Sequence, residues 1–196
     1  EVRENFTVER VLIEDGRVVG IQGHSRDGQS VRERAEIVIG ADGRHSVVAD
    51  PVHAEHYNEK PTLLALYYAY WSGLPMRGRF ESYIRDRRGL AAAQTHDDLT
   101  VLVGGWPYAE FAANKGDIEG NFLKMLDLAP RFAERVRNAR RETRFAGTAT
   151  PNFFRKPYGP GWALIGDAGY IRDPITGQGI LDAFRDAELC VTAIDE

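Results

Sequence analysis

One cysteine, Cys190, and two methionines are all the sulfur in this sequence. A lone cysteine excludes an internal disulfide framework and favours a reducing compartment, so a cytoplasmic location is expected. Long apolar runs are missing as well. The longest, Leu63–Trp71, is nine residues, whereas a spanning helix needs roughly 20. No basic stretch leads into an apolar core and a small-residue cleavage site, so no secretory leader is expected. Lysine is scarce, at four against 21 arginines, and the formal net charge of -4 argues against a nucleic-acid or membrane partner. Arg135, Arg137, Arg140, Arg141 and Arg144 crowd one segment, which suits a solvated face interspersed with Glu134 and Glu142 or, alternatively, a polyanion patch. No repeat and no low-complexity tract occurs. What is plentiful is bulk for a core: 43% of residues are hydrophobic, with three Trp, nine Phe and eight Tyr. Intrinsic disorder is excluded.

Along the chain the patterning changes twice. Val8–Glu14 and Arg17–Gly23 read as strands joined by Asp15-Gly16, a strong hairpin signal, and Ser30–Arg34 adds a third strand. Ile37-Val38-Ile39 is a continuous apolar run ending in Gly40-Ala41-Asp42-Gly43, the pattern of a strand buried on both faces. From about Pro51, the runs Leu64–Trp71, Arg79–Ile84, Ala91–Thr95 and Leu99–Gly104 suggest an antiparallel sheet. Helical patterns follow over Ile118–Leu128 and Arg131–Ala139, separated by Pro130. The first style then returns. Trp162–Ile165 is a buried-strand candidate ending in Gly166-Asp167, and a turn-rich segment leads to a helix from Gly179. Its apolar face is expected to hold Ile180, Phe184, Ala187, Cys190 or Val191, and Ile194. The layout is α/β, interrupted by antiparallel strands with helices, then α/β again.

Chemistry concentrates at the two strand ends. Each runs into a glycine turn bearing one aspartate, Asp42 and Asp167. Ligands of parallel α/β sheets bind at strand carboxyl ends, where a short carboxylate can accept hydrogen bonds from sugar or polyol hydroxyls. Each aspartate also suits a plain turn cap. Gly177-Gln178-Gly179 opens the last helix after the Asp173-Pro174 turn, so its amides and helix dipole offer partial positive charge to an anion or electron-rich carbonyl. A Gly-x-Gly loop entering a helix is also common without any ligand.

Taken in order, these features resemble class A flavoprotein monooxygenases, the para-hydroxybenzoate hydroxylase-like family. Ile39-Gly40-Ala41-Asp42-Gly43-Arg44-His45-Ser46 is similar to the family's "DG" motif, and Trp162–Ala168 to its "GD" motif about 120 residues later. Asp173-Pro174, Gly177–Gly179 and Ala183-Phe184-Arg185-Asp186-Ala187 look like its segment beside the flavin ring. The resemblance implies part of an FAD/NAD(P)-binding Rossmann-like domain, residues 1–52 and 151–196, interrupted by an antiparallel β-sheet substrate domain with helices over 53–150. It further implies that Asp167, with Gly166, meets the ribityl chain of FAD. Asp42, Gly43 and Arg44 would lie near the pyrophosphate and the NAD(P)H route. Pro174, Gly177, Gln178, Gly179 and Ile180 would pack along the isoalloxazine. The implied activity is NAD(P)H-dependent hydroxylation of a small aromatic or polyketide-like molecule through a flavin C4a-hydroperoxide. A flavin-dependent reductase or dehydrogenase of the same superfamily, and a non-catalytic module that keeps the fold, are the alternatives.

The departures are specific. Ala49 stands where the family usually has Arg, Gly169-Tyr170 where it usually has Ala-His, and Leu181 where a polar residue is common. The halogenases' Trp-x-Trp-x-Ile-Pro motif is absent, which disfavours halogenation. The family's opening Gly-x-Gly-x-x-Gly unit is also absent from these residues. The chain is therefore expected to be part of a longer enzyme, inactive by itself and prone to dimerise or exchange strands through unpaired edges. Tyr68, Tyr70, Tyr83, His96 and Trp106 are the candidate substrate contacts, with Tyr68 and Tyr70 on one sheet face and Tyr67, Ala69 and Trp71 on the other. Ordinary sheet packing is the stronger reading for each of them. His53 and His56 lack a third ligand, so no metal is expected.

Overall fold

The computed structural model describes residues 1–196, apart from the side chain of Thr176. The chain forms two compact units, a discontinuous one made of Glu1–Pro61 with Pro151–Glu196 and an inserted one, Thr62–Thr150. In the discontinuous unit β1 (Phe6–Glu14), β2 (Arg17–Ser25) and β3 (Ser30–Arg34) form an antiparallel meander. Asp15 and Gly16 both take positive φ, 47° and 75°, the hairpin geometry that matches strand twist. Next come β4 (Val38–Gly40) and β5 (His56–Lys60).

The inserted unit contains β6 (Leu64–Ser72), β7 (Glu81–Arg85), β8 (Arg88–Gln94), β9 (Thr100–Pro107), α1 (Phe111–Asn114), α2 (Ile118–Met125), α3 (Pro130–Arg137), β10 (Arg140–Arg141) and β11 (Ala146–Ala149). Its antiparallel sheet has the order β10-β6-β9-β8-β7, with β11 also pairing with β6. Period-two alternation sends Tyr67, Ala69 and Trp71 of β6 inward, together with Leu90, Leu102 and Trp106. Phe122 and Met125 of α2 and Phe132 and Val136 of α3 belong to the same core. Burying each such side chain contributes about 1.5–3 kcal/mol. Asp117 caps α2 by accepting from the Gly120 amide at 2.8 Å. Pro130 does not merely divide the two helices: it opens the second, where its missing N–H is no loss.

The discontinuous unit closes with β12 (Asn152–Arg155), β13 (Tyr158–Gly159), β14 (Trp162–Leu164), β15 (Tyr170–Ile171) and α4 (Gly179–Asp195). β14 runs parallel to β4, with Leu164 opposite Gly40, and the second small sheet is β15-β12-β5. Residues 53–61 were expected in the inserted domain. They belong instead to the discontinuous unit, because β5 pairs with β12.

Two expectations about burial are corrected. Ile37 and Ile39 are 38% and 42% exposed, since β4 has a strand neighbour on one edge only, in the order β13-β14-β4. In α4 the expected apolar face is largely uncovered: Ile180 is 77% exposed and Phe184 73%, while Cys190 is half-buried. The core of this unit is instead Val11, Val18, Val48, Ala49, Trp162, Leu164 and Ala168.

Candidate cofactor site

The parallel pair sets the site. Backbone pairing continues past the strands, from the Ile165 amide to the Gly40 carbonyl at 3.0 Å, so the two glycine-aspartate turns leave side by side from strand carboxyl ends. A Cβ at Gly40 would stand 2.9 Å from the Leu164 side chain and 3.0 Å from Val48, so any larger residue crowds this end of the strand pair. Asp42 spends its carboxylate on its own turn, accepting from the Val47 amide at 2.7 Å. Buried Ser46 accepts from the Val48 and Ala49 amides in the same turn. Ala49, in the place of the family's usual arginine, is a packed core residue. Gly43 has φ 77°, and Arg44 is exposed with its Nε 3.0 Å from His45 Nε2.

The second turn is a 3-10 turn over Gly166–Ala168. Gly166 takes φ 57°, its amide donates to Asp186 of α4 at 3.1 Å, and a Cβ would meet Ala183 at 3.2 Å. Asp167 is exposed, and no hydrogen bond engages its carboxylate among the described residues. It lines a small cleft of about 40 Å³ with Gly166, Asp173, Pro174, Gln178 and Gly179. Asp173 caps the Pro174–Thr176 turn through the Ile175 amide, leaving its Oδ2 buried and without a partner. No side chain caps the start of α4, so its first amides face the same region uncapped. Ile180 is on the outer side of that first turn, 77% exposed.

Arg155 was not singled out from the sequence, and it holds the two turns together. Only 6% exposed, it donates to the Ala168 carbonyl at 2.9 Å and to the Arg44 carbonyl at 3.1 Å. Its Nε donates to His56 Nε2 at 3.2 Å, and its guanidinium covers the Phe153 ring at 4.9 Å. His56 itself stacks on Phe153 at 4.3 Å. Among the described residues no group of three His, Cys, Asp or Glu is arranged to hold a metal. Nothing local in the sequence marks Arg155 as the inward-facing residue of β12.

Tyr170, where the family's histidine would be, stacks on Phe154 at 5.0 Å. Burial pushes its hydroxyl up, and the Asp186 and Asp182 carboxylates add to the shift. A larger apolar cavity of about 670 Å³ lies behind it, lined by Tyr57, Phe154, Trp162, Leu189, Cys190 and Ile194 among others.

The five substrate candidates fall into separate places in the inserted unit. Tyr68 and Tyr70 share one sheet face, edge to face at 6.1 Å, and exposed His96 is 6.2 Å from Tyr70. Trp106 is on the opposite face, 1% exposed and stacked on Tyr67 at 5.0 Å. Tyr83 packs on Phe132 and donates to Glu81. Both pack against the helix-covered core, Trp106 fully buried and Tyr83 half-buried. Three of the five crowded arginines engage carboxylates: Arg135 with Glu81, Arg140 with Glu142 and Arg141 with Glu119. No helix among the described residues is long and apolar enough to cross a membrane.

The donor and acceptor set fits FAD. Asp167 offers a free carboxylate to hydroxyls, the uncapped amides of α4 suit an electron-rich carbonyl edge, and Asp173 Oδ2 awaits a donor. No protein-family profile matches the chain. It is 31% identical over 205 aligned positions to digeranylgeranylglycerophospholipid reductase 1 of Methanopyrus kandleri, covering 95% of this chain and 51% of that protein. The flavin-dependent brominase Bmp2 superposes with a TM-score of 0.79 at 19% identity, over 92% of this chain and 47% of that one. PqsL of Pseudomonas aeruginosa, a probable FAD-dependent monooxygenase, gives 0.71 at 21% identity, over 97% and 53%. The chain therefore spans about half the length of the proteins it matches. Its mixed α/β architecture is that of FAD-binding flavoproteins.

Proposed function

We propose that this chain is part of an FAD-dependent oxidoreductase and supplies the isoalloxazine and ribityl side of its cofactor site. The observation that carries this is the side-by-side exit of two glycine-aspartate turns from a parallel strand pair, beside the uncapped start of α4. Asp167 and Gly166 bind the ribityl chain, Asp42, Gly43 and Arg44 flank the pyrophosphate, and Pro174 with Gly177–Ile180 borders the ring. Asp42 acts there through its turn rather than its carboxylate, which the Val47 amide already occupies. FAD supplies two-electron redox chemistry with NAD(P)H as the electron source. The chain's own residues bind it, orient it and exclude water.

The finer reading is an oxygen-dependent monooxygenase acting on a small aromatic or polyketide-like substrate. Tyr68 and Tyr70 provide the aromatic contacts for it on one face of the inserted sheet, with His96 beside them. A second reading, a flavin-dependent reductase of an unsaturated substrate, is favoured by the 31% identity to the Methanopyrus kandleri reductase. The full-length protein should purify with, or take up, stoichiometric FAD and oxidise NAD(P)H. A protein that binds no FAD on reconstitution overturns the oxidoreductase assignment. Product that forms only with oxygen supports the monooxygenase. Saturated product from anaerobic, dithionite-reduced enzyme supports the reductase.

A further inference from the structure

Asp182 is the one buried residue of α4, 5% exposed and one turn into the helix. Its carboxylate meets two guanidinium groups, that of Arg172 and that of Arg185 at 3.0 Å. Arg185 also reaches the Tyr170 hydroxyl at 3.4 Å. Burial alone would raise the Asp182 carboxyl, but the Arg172 hydrogen bond, the Tyr170 hydroxyl and the two positive charges outweigh it and hold the group below its ordinary value. Asp182 is thus an anion at neutral pH. Asp182 alone is buried, while the Arg172 and Arg185 side chains are about half exposed, and a buried apolar residue at 182 would serve the packing as well as a carboxylate does. The charges therefore call for another explanation.

Their location supplies one. Asp182 and Arg172 line the same cleft as Asp167, Asp173, Pro174, Gln178 and Gly179. Two-electron reduction of a flavin with uptake of one proton turns a neutral ring into an anion, so nearby fixed charges bias it by sign. The positive start of α4 favours the anion, and Asp182 opposes it from within the first turn.

We propose that the Asp182–Arg172–Arg185 cluster sets the reduction potential of flavin bound at this cleft, Asp182 lowering it and Arg172 raising it. The inference rests on the FAD reading above and goes beyond it, making Asp182 a positioning and charge-setting residue that need not touch the ring. The test uses the full-length protein loaded with FAD, with midpoint potentials from dye-referenced reductive titration of the flavin spectrum. Asp182→Asn, which keeps shape and an acceptor, shifts the potential positive. Arg172→Gln shifts it negative, and the double variant returns toward the parent. Opposite signs are what a purely structural role does not produce. Lowered FAD occupancy with unchanged potential of the retained flavin, or shifts of one sign in both variants, overturns the proposal while leaving the FAD reading intact. A parent protein that binds no flavin overturns both.

Discussion

At the residue scale the site depends on a cation that makes no ion pair of ordinary strength. The nearest carboxylate oxygen to Arg155 is that of Asp50, at 3.9 Å and on an exposed side chain. Its work is to satisfy two backbone carbonyls, one from each glycine-aspartate turn. Arg155→Met removes the donor from both carbonyls, and the buried one, of Ala168, then costs about 1–3 kcal/mol. We expect a loss of about 1–3 kcal/mol in urea unfolding, and FAD affinity down by about tenfold or more as the turns separate. Arg155→Lys should rescue only part of this, because an ammonium lacks the planar fork that reaches both carbonyls. Wild-type affinity in the methionine variant would show that the turns hold themselves.

Glu81 offers a second residue-level test, in the inserted unit. Burial works to raise its carboxyl, but the Tyr83 hydroxyl and the Arg135 guanidinium outweigh this, and the net shift is below the ordinary 4.5. A depressed carboxyl stabilises the folded state above its unfolded value and loses that contribution as pH falls through the folded one. Glu81→Gln should therefore cost about 1 kcal/mol at pH 7. The gap between variant and parent should close as pH drops below 4.5. A gap that persists unchanged at pH 3 would mean that the ionised carboxylate is not the stabilising form.

At the scale of elements, local signals and non-local ones separate cleanly. The Asp15-Gly16 hairpin, the alternation in Leu64–Trp71 and the glycine ends of Ile37–Ile39 and Trp162–Ile165 are legible because backbone sterics and period-two burial act over a few residues. The parallel pairing of β4 with β14 joins segments more than a hundred residues apart, and only the likeness of their two turns suggested it. Burial of β4 and α4 departs from their apolar pattern for one reason. An apolar pattern shows that a face can be covered, but not that these residues supply the cover, and Ile39 and Phe184 remain exposed. Trp106 and Tyr83 pack on the sheet face that helices α2 and α3 cover, a cover that the alternation of the strands alone does not reveal. Arg155 was invisible because an isolated arginine on a four-residue strand carries no periodic signal.

At the scale of the whole molecule, the inserted unit has its own core, from Ala65 to Val136, and leaves and returns on neighbouring strands, with Ala65 opposite Ala149. A polypeptide of residues 62–150 should therefore fold by itself, with a cooperative thermal transition and dispersed amide resonances. A non-cooperative melt would show that it borrows stability from the rest of the chain. Adjacent ends have a longer-term consequence. An exchange of genetic material across those two positions would replace the surface carrying Tyr68 and Tyr70 as a block, with β4, β14 and α4 untouched. Recombination at that block therefore varies the face carrying Tyr68 and Tyr70 independently of the two glycine-aspartate turns.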